Sequence, residues 1–130
     1  MLREGDDAVI MTYGILTNQA LDAADRLAEK GIHAAVVKLH QIAPLDEDAV
    51  CRAAGGAKCL LVLEDCLATG CVGQRVAAML VEKDCAPRRL LLKNLGGAVP
   101  SHGSVGKLYR QLGLDGDSVA MAIEEAVHEQ

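Results

Sequence analysis

Acids, glycines and thiols meet in one stretch, LVLEDCLATGCVGQRVAAML, residues 61–80. Glu64 and Asp65 end an apolar run, and Gly70 and Gly73 flank the start of a helical pattern. In an open α/β sheet a strand–loop–helix passage of this kind is where ligands collect, because the unpaired N–H groups of a helix start attract anions. A dinucleotide site would need G-x-G-x-x-G after the first strand. Here that strand runs into GILTN, with a single glycine, and Gly70 and Gly73 lack the fingerprint. A triphosphate loop would end in Gly-Lys-Ser/Thr, and TGCVGQ does not. Glu64 and Asp65 also place negative charge just ahead of the helix, which repels an anion while favouring the helix dipole. A receiver-type acidic cluster for a divalent ion would need acids after the first strand, whereas Asp6 and Asp7 precede it. The loop reads as framework.

The other reactive side chains are scattered. His33, His40, His102 and His128 stand at unrelated spacings, which supports no metal site. Ser101 and His102 follow Pro100 without the Gly-x-Ser-x-Gly elbow of a hydrolase, so His102 reads as a loop hydrogen-bonder. Cys51, Cys59, Cys66, Cys71 and Cys85 form no C-x-x-C, and an odd count with no signal peptide argues against a disulfide framework. They read as small buried hydrophobes. No catalytic, cofactor-binding or metal-binding residue is assigned.

The elements that must position these residues alternate. AVIMTY (8–13), IHAAVVKL (32–39), KCLLVLE (58–64) and RRLLLKN (88–94) are apolar runs of strand length. Between them lie helical patterns. The first starts at Thr17 or Asn18, faces inward with Leu21, Ala24, Leu27 and Ala28, and stops at Gly31. The second is capped by Asp46 after Pro44 and ends at Gly55-Gly56. The third runs from about Cys71 to Lys83 with Val72, Val76, Met79 and Leu80 inward. After the loop LGGAVPSHGS, Ser104 caps a short helix that Gly113 stops, and Asp115 or Asp117 starts a last one carrying Val119, Ile123 and Val127. The order predicts a three-layer α/β/α fold on a mostly parallel twisted sheet, as one domain over residues 1–130.

Composition agrees. Hydrophobic residues make up 51% of the 130 and aromatics 2%, with no Phe or Trp, so the core is built from Leu, Val, Ile, Ala and Met. Such aliphatic runs suit parallel strands buried on both faces. A net charge of −5 and only two aromatics, Tyr13 and Tyr109, leave neither a basic stripe nor a stacking platform for nucleic acid. No apolar run approaches the ~20 residues of a membrane span, and MLREGDD is no signal peptide. A cytoplasmic location is expected.

Four segments resemble the C-terminal domain of the transketolase family, most closely that of the 1-deoxy-D-xylulose-5-phosphate synthases. LREGDDAVIMTYG (2–14) is similar to the family's entry into its first strand. ALDAADRLAEKGIHAAVVKLHQIAPLDEDAV (20–50) contains its Pro-Leu-Asp-Glu turn at Pro44–Glu47. VLEDCLATGCVGQRVAAML (62–80) looks like the synthases' third strand, glycine loop and helix, with Gly70-Cys71 in place of a glycine pair. SHGSVGKLYRQLGLDGDSVAMAIEEAV (101–127) resembles their ending at His102, Gly103, Ser104 and Leu112–Asp115.

The resemblance implies a sheet of four to five strands, the extra one antiparallel at an edge around Leu2–Glu4. It implies a transferase in which thiamine diphosphate and magnesium bind between pyrophosphate- and pyrimidine-binding domains, as in the condensation of pyruvate with glyceraldehyde 3-phosphate, with decarboxylation, toward isoprenoid precursors. The family's Gly-Asp-Gly with a later Asn is absent, since LDGDS (114–118) sits near the end of the chain in the wrong order. The expected role is assembly: packing on the pyrimidine-binding domain, in a homodimer, with Glu64, Gly70, Gly73, His102 and Gly103 at the interface or active-site rim. Part of a split transketolase, or of a 2-oxo-acid dehydrogenase β subunit, is an alternative within the family. A free-standing regulatory module binding anions or nucleotides at the 65–75 loop is an alternative of another class.

Overall fold

The computed structural model describes residues 1–40, 44–66, 70–96 and 105–128. Strands β1 (Ala8–Thr12), β2 (Ala34–Lys38), β3 (Cys59–Leu63) and β4 (Arg89–Lys93) form one parallel sheet in the order β2-β1-β3-β4. Helices α1 (Thr17–Ala28), α2 (Glu47–Ala54) and α3 (Val72–Glu82) are the crossovers, and α4 (Val105–Leu112) and α5 (Gly116–His128) follow β4.

Side-chain alternation divides the sheet into two apolar faces. Ala8, Ile10, Ala34, Val36, Cys59, Leu61 and Leu63 pack with buried residues of α1 and α5, among them Ala20, Leu27 and Ile123. Val9, Met11, Ala35, Leu60 and Val62 pack with Val50 and Ala54 of α2 and with Val72, Val76, Met79 and Leu80 of α3. The three-layer α/β/α architecture and its four parallel strands are as the alternation predicts. β1 and β3 are buried along their whole length, while β4 is half-exposed at the sheet's edge.

The antiparallel edge segment is present as a single bridge. Arg3 pairs antiparallel with Val36 along the outer edge of β2, with the Leu2 N–H donating to the Val36 carbonyl at 2.8 Å and the Val36 N–H to the Arg3 carbonyl at 2.9 Å. Gly5 lets this segment turn away against β2, since a Cβ there would stand 2.5 Å from the carbonyl carbon of Ala34.

The helix ends show how sequence sets local structure. Asp46 accepts from the Ala49 N–H at 3.1 Å, the expected cap of α2. Past α1, the Gly31 N–H reaches the Ala28 carbonyl and the Ile32 N–H the Leu27 carbonyl, a Schellman closure made at a positive φ of 77°. The same pair of bonds, Gly113 to Arg110 and Leu114 to Tyr109, closes α4. The start of α1 differs from expectation. A 3-10 turn, Gly14–Leu16, leads into it, and the Thr17 hydroxyl donates back to the Gly14 carbonyl instead of capping the helix. The expected cap Ser104 lies outside the described residues.

One sequence reading is corrected. Cys59 and Cys71 are buried as small hydrophobes, but Cys51 and Cys85 are joined as a disulfide, with Cα atoms 5.8 Å apart. Their separation of 34 residues gave no hint, because α2 and α3 become neighbours only once they pack on the same sheet face.

Candidate functional site

The sheet order fixes where a ligand crevice would fall. From β1 the chain steps outward to β2, then crosses back to β3 on the other side of β1. The C-terminal ends of β1 and β3 therefore flank the topological switch point, the usual ligand position in open α/β sheets. Tyr13 follows β1 there and Glu64 follows β3.

Glu64 is fully buried, yet every donor it needs is at hand. Its Oε1 accepts from the Val72 N–H at 2.8 Å and from the Tyr13 hydroxyl at 2.9 Å. Its Oε2 accepts from the Gly73 N–H at 2.7 Å. Val72 and Gly73 begin α3, whose N-cap residue Cys71 makes no side-chain capping bond. The carboxylate thus supplies the missing cap from the neighbouring strand end, and its charge meets the positive end of the helix dipole.

Gly73 is required by this closeness. A Cβ would lie 2.9 Å from Glu64 Oε2 and 2.8 Å from Leu92 Cδ2. Gly70 is exposed at φ 74°, and its N–H donates to Gln74 Oε1 at 3.3 Å.

The titratable neighbours are held in their neutral forms. Burial, and then the bond to Glu64, push the Tyr13 hydroxyl far above its ordinary value, so it stays a donor. The Cys66 thiol lies 3.6 Å from Glu64 Oε1 and 3.8 Å from the Tyr13 hydroxyl. Burial raises it too, against a lowering contribution from Tyr13, so Cys66 is no thiolate at neutral pH. Behind the cluster, the buried Thr12 hydroxyl donates to the Leu63 carbonyl at 3.0 Å and ties the two strand ends together. Asp65 is exposed and accepts from the Tyr109 hydroxyl at 3.5 Å. Chemically this is a saturated network: a capped helix, a neutral phenol and a neutral thiol.

Of the rim residues read from sequence, Glu64, Gly70 and Gly73 gather around the start of α3, with the Glu64 side chain turned inward. His102 and Gly103 lie outside the described residues. Sequence reasoning missed Tyr13 as a partner of Glu64. The one available signal was an aromatic directly after the first strand, in a chain with only two. A groove of about 350 Å3 lies elsewhere, beside β2 and α2, lined by Met11, Val37, Leu39, His40, Asp46 and Val50 among others. Among the described residues no three His, Cys, Asp or Glu gather into a metal-holding group.

Comparison with known proteins fits this framework. The model of the transketolase C-terminal domain matches residues 1–119. The chain is 36% identical over 124 residues to the 1-deoxy-D-xylulose-5-phosphate synthase of Desulforudis audaxviator, covering 95% of this chain and 20% of that protein. It is also 36% identical over 125 residues to the 2-oxoisovalerate dehydrogenase subunit beta of Bacillus subtilis, covering 95% of this chain and 38% of the subunit. A solved split-gene transketolase, an inactive beta4 tetramer, superposes with a TM-score of 0.83 at 29% identity, covering 97% of this chain and 41% of that one. The chain thus spans about a fifth of the synthases and about two-fifths of the β subunits it matches. With the family model matched across most of its length, the chain belongs to the transketolase C-terminal domain family.

Proposed function

We propose that this chain is the non-catalytic assembly domain of a thiamine-diphosphate-dependent transketolase-type enzyme, of the 1-deoxy-D-xylulose-5-phosphate synthase kind. The observation that carries the reading is the fate of Glu64. The helix start that follows β3 at the switch point is already occupied by the chain's own buried carboxylate, through the Val72 and Gly73 N–H groups. A diphosphate brought there would meet that negative charge and find those donors engaged. The residues do not fit the cofactor, and thiamine diphosphate and magnesium belong with the partner domains. The same occupancy argues against a free-standing anion or nucleotide module. Glu64 fixes the start of α3 at the strands' C-terminal edge, as a docking rim toward a pyrimidine-binding domain in a homodimer requires.

The test is a domain exchange. Residues 1–130 replace the C-terminal domain of the Desulforudis audaxviator synthase. The chimera is expected to form dimers and to condense pyruvate with glyceraldehyde 3-phosphate, while the 130-residue chain alone, with thiamine diphosphate and magnesium, turns over nothing. Activity from the chain alone would overturn the reading, as would a chimera that neither assembles nor reacts. A split-subunit origin is favoured by a different observation, the TM-score of 0.83 to a split-gene transketolase. It predicts that the same exchange into that β subunit yields the better-assembled protein.

A further inference from the structure

Cys51 stands on α2 and Cys85 in the turn after α3, with Cα atoms 5.8 Å apart, a separation that two cysteines can bridge without backbone movement. Both are half-buried and within reach of small reagents, whereas Cys59 and Cys71 are closed off from solvent. Cys66 lies at the other end of α3, against Glu64. Thiol chemistry at this pair is therefore selective by position.

The bond also falls where the fold has little else to hold it. α2 is eight residues long and buries only Val50 and Ala54, while α1 buries four residues and seats along α5. The ion pair between Lys83 and Glu47 at 3.3 Å also links α3 to α2, but both side chains are exposed and such pairs contribute little. We propose that Cys51 and Cys85 are a reversible redox site, whose oxidation fastens α2 to α3 and whose reduction lets α2 loosen from the sheet.

The chemistry balances with a peroxide as oxidant. One thiolate attacks hydrogen peroxide, giving a sulfenic acid and, with a proton, the first water. The second thiol displaces hydroxide from that sulfur, forming the disulfide and the second water. Two thiols and one peroxide thus yield one disulfide and two waters. An external dithiol reverses the step by exchange and leaves as its own disulfide. In a reducing compartment such bonds are rare, and those that do form are usually transient.

The experiment compares the full chain reduced by dithiothreitol with the chain oxidised by stoichiometric hydrogen peroxide. Peptide mapping without reductant is expected to recover the Cys51–Cys85 link, with Cys59, Cys66 and Cys71 free. The oxidised form should melt higher, on the order of 10 °C, as expected for closing a loop of this length in a domain of this size. Its amide exchange should slow most across residues 47–54, beyond the slowing that the added global stability gives β1 and β3. The C51S/C85S chain should behave as the reduced form and ignore peroxide. A link between other cysteines, over-oxidised thiols without a link, or equal melting and exchange in the two states would overturn the proposal. The wild-type comparison decides it even where the double variant folds poorly.

Discussion

Glu64 accepts three hydrogen bonds from N–H and O–H donors and a longer one from the Cys66 thiol while fully buried, so its neighbours depend on it more than it depends on any one of them. Glu64→Ala leaves the Val72 and Gly73 N–H groups without their acceptor and is expected to destabilise the fold by about 3 kcal/mol or more. Tyr13→Phe removes one donor to a charged acceptor and should cost about 1.5 kcal/mol. Urea unfolding of both singles and the double variant measures their coupling. A Tyr13→Phe chain as stable as wild type would show that the 2.9 Å bond adds nothing. Gly73→Ala forces a methyl between Leu92 and Glu64 and should cost about 1–3 kcal/mol in the same assay. The sequence made Glu64 visible as a charge placed ahead of a helix, because that relation is local. Its partnership with Tyr13 was hidden, since it depends on β1 and β3 lying side by side, which no spacing along the chain encodes.

At the level of elements, the four strands and the inward faces of α3 and α5 were readable because burial on a regular backbone imprints its own period on the residues. Val72, Val76, Met79, Leu80, Val119 and Ile123 all occupy the core as their spacing requires. The cap of α2 at Asp46 was equally readable, being a contact between residues three apart. The Cys51–Cys85 pair was not, because it records the packing of two helices rather than the pattern of either one. The bridge at Arg3 was expected from family resemblance and makes a further prediction. Gly5→Val drives side-chain atoms into the backbone of Ala34 and Ala35, so the segment must lift from β2. Amide exchange at Val36, whose N–H donates to the Arg3 carbonyl, should then rise steeply while Ile10 in β1 stays protected. An unchanged Val36 rate would show the bridge to be dispensable.

The whole molecule carries several acids held neutral by burial, which sets its response to alkali. Burial raises the Cys59 thiol from an ordinary 9.0 to about 11, although Arg89 pulls it the other way, and Tyr13 and Tyr109 are also raised above 10.0. Each of these groups ionises first in the unfolded chain, which then binds fewer protons than the folded one. For Cys59 that contribution is complete below pH 9 and is lost as pH rises through 11, while for the two tyrosines the loss begins only above pH 10. In reductant, the urea midpoint should hold to about pH 9 and fall beyond it, and Cys59→Val should flatten part of that fall. A midpoint indifferent to alkali would contradict the burial of these groups. The fold class was open to sequence reasoning because strand and helix alternate so regularly. The candidate site was open only in part, since Tyr13 meets Glu64 only through the pairing of β1 with β3, and His102 and Gly103 lie outside the described residues.

The N-terminal segment on β2 also bears on how the protein survives at high concentration. A parallel sheet ends in two rows of unpaired peptide groups that invite strands from other molecules. Leu2 and Arg3 shield one row at Val36, while Arg89 and Lys93 bracket the leucines of β4 on the opposite side as charged gatekeepers. Trimming residues 1–5 would bare β2 without disturbing the interior. The shortened chain should then scatter light increasingly with concentration, where the intact one stays clear.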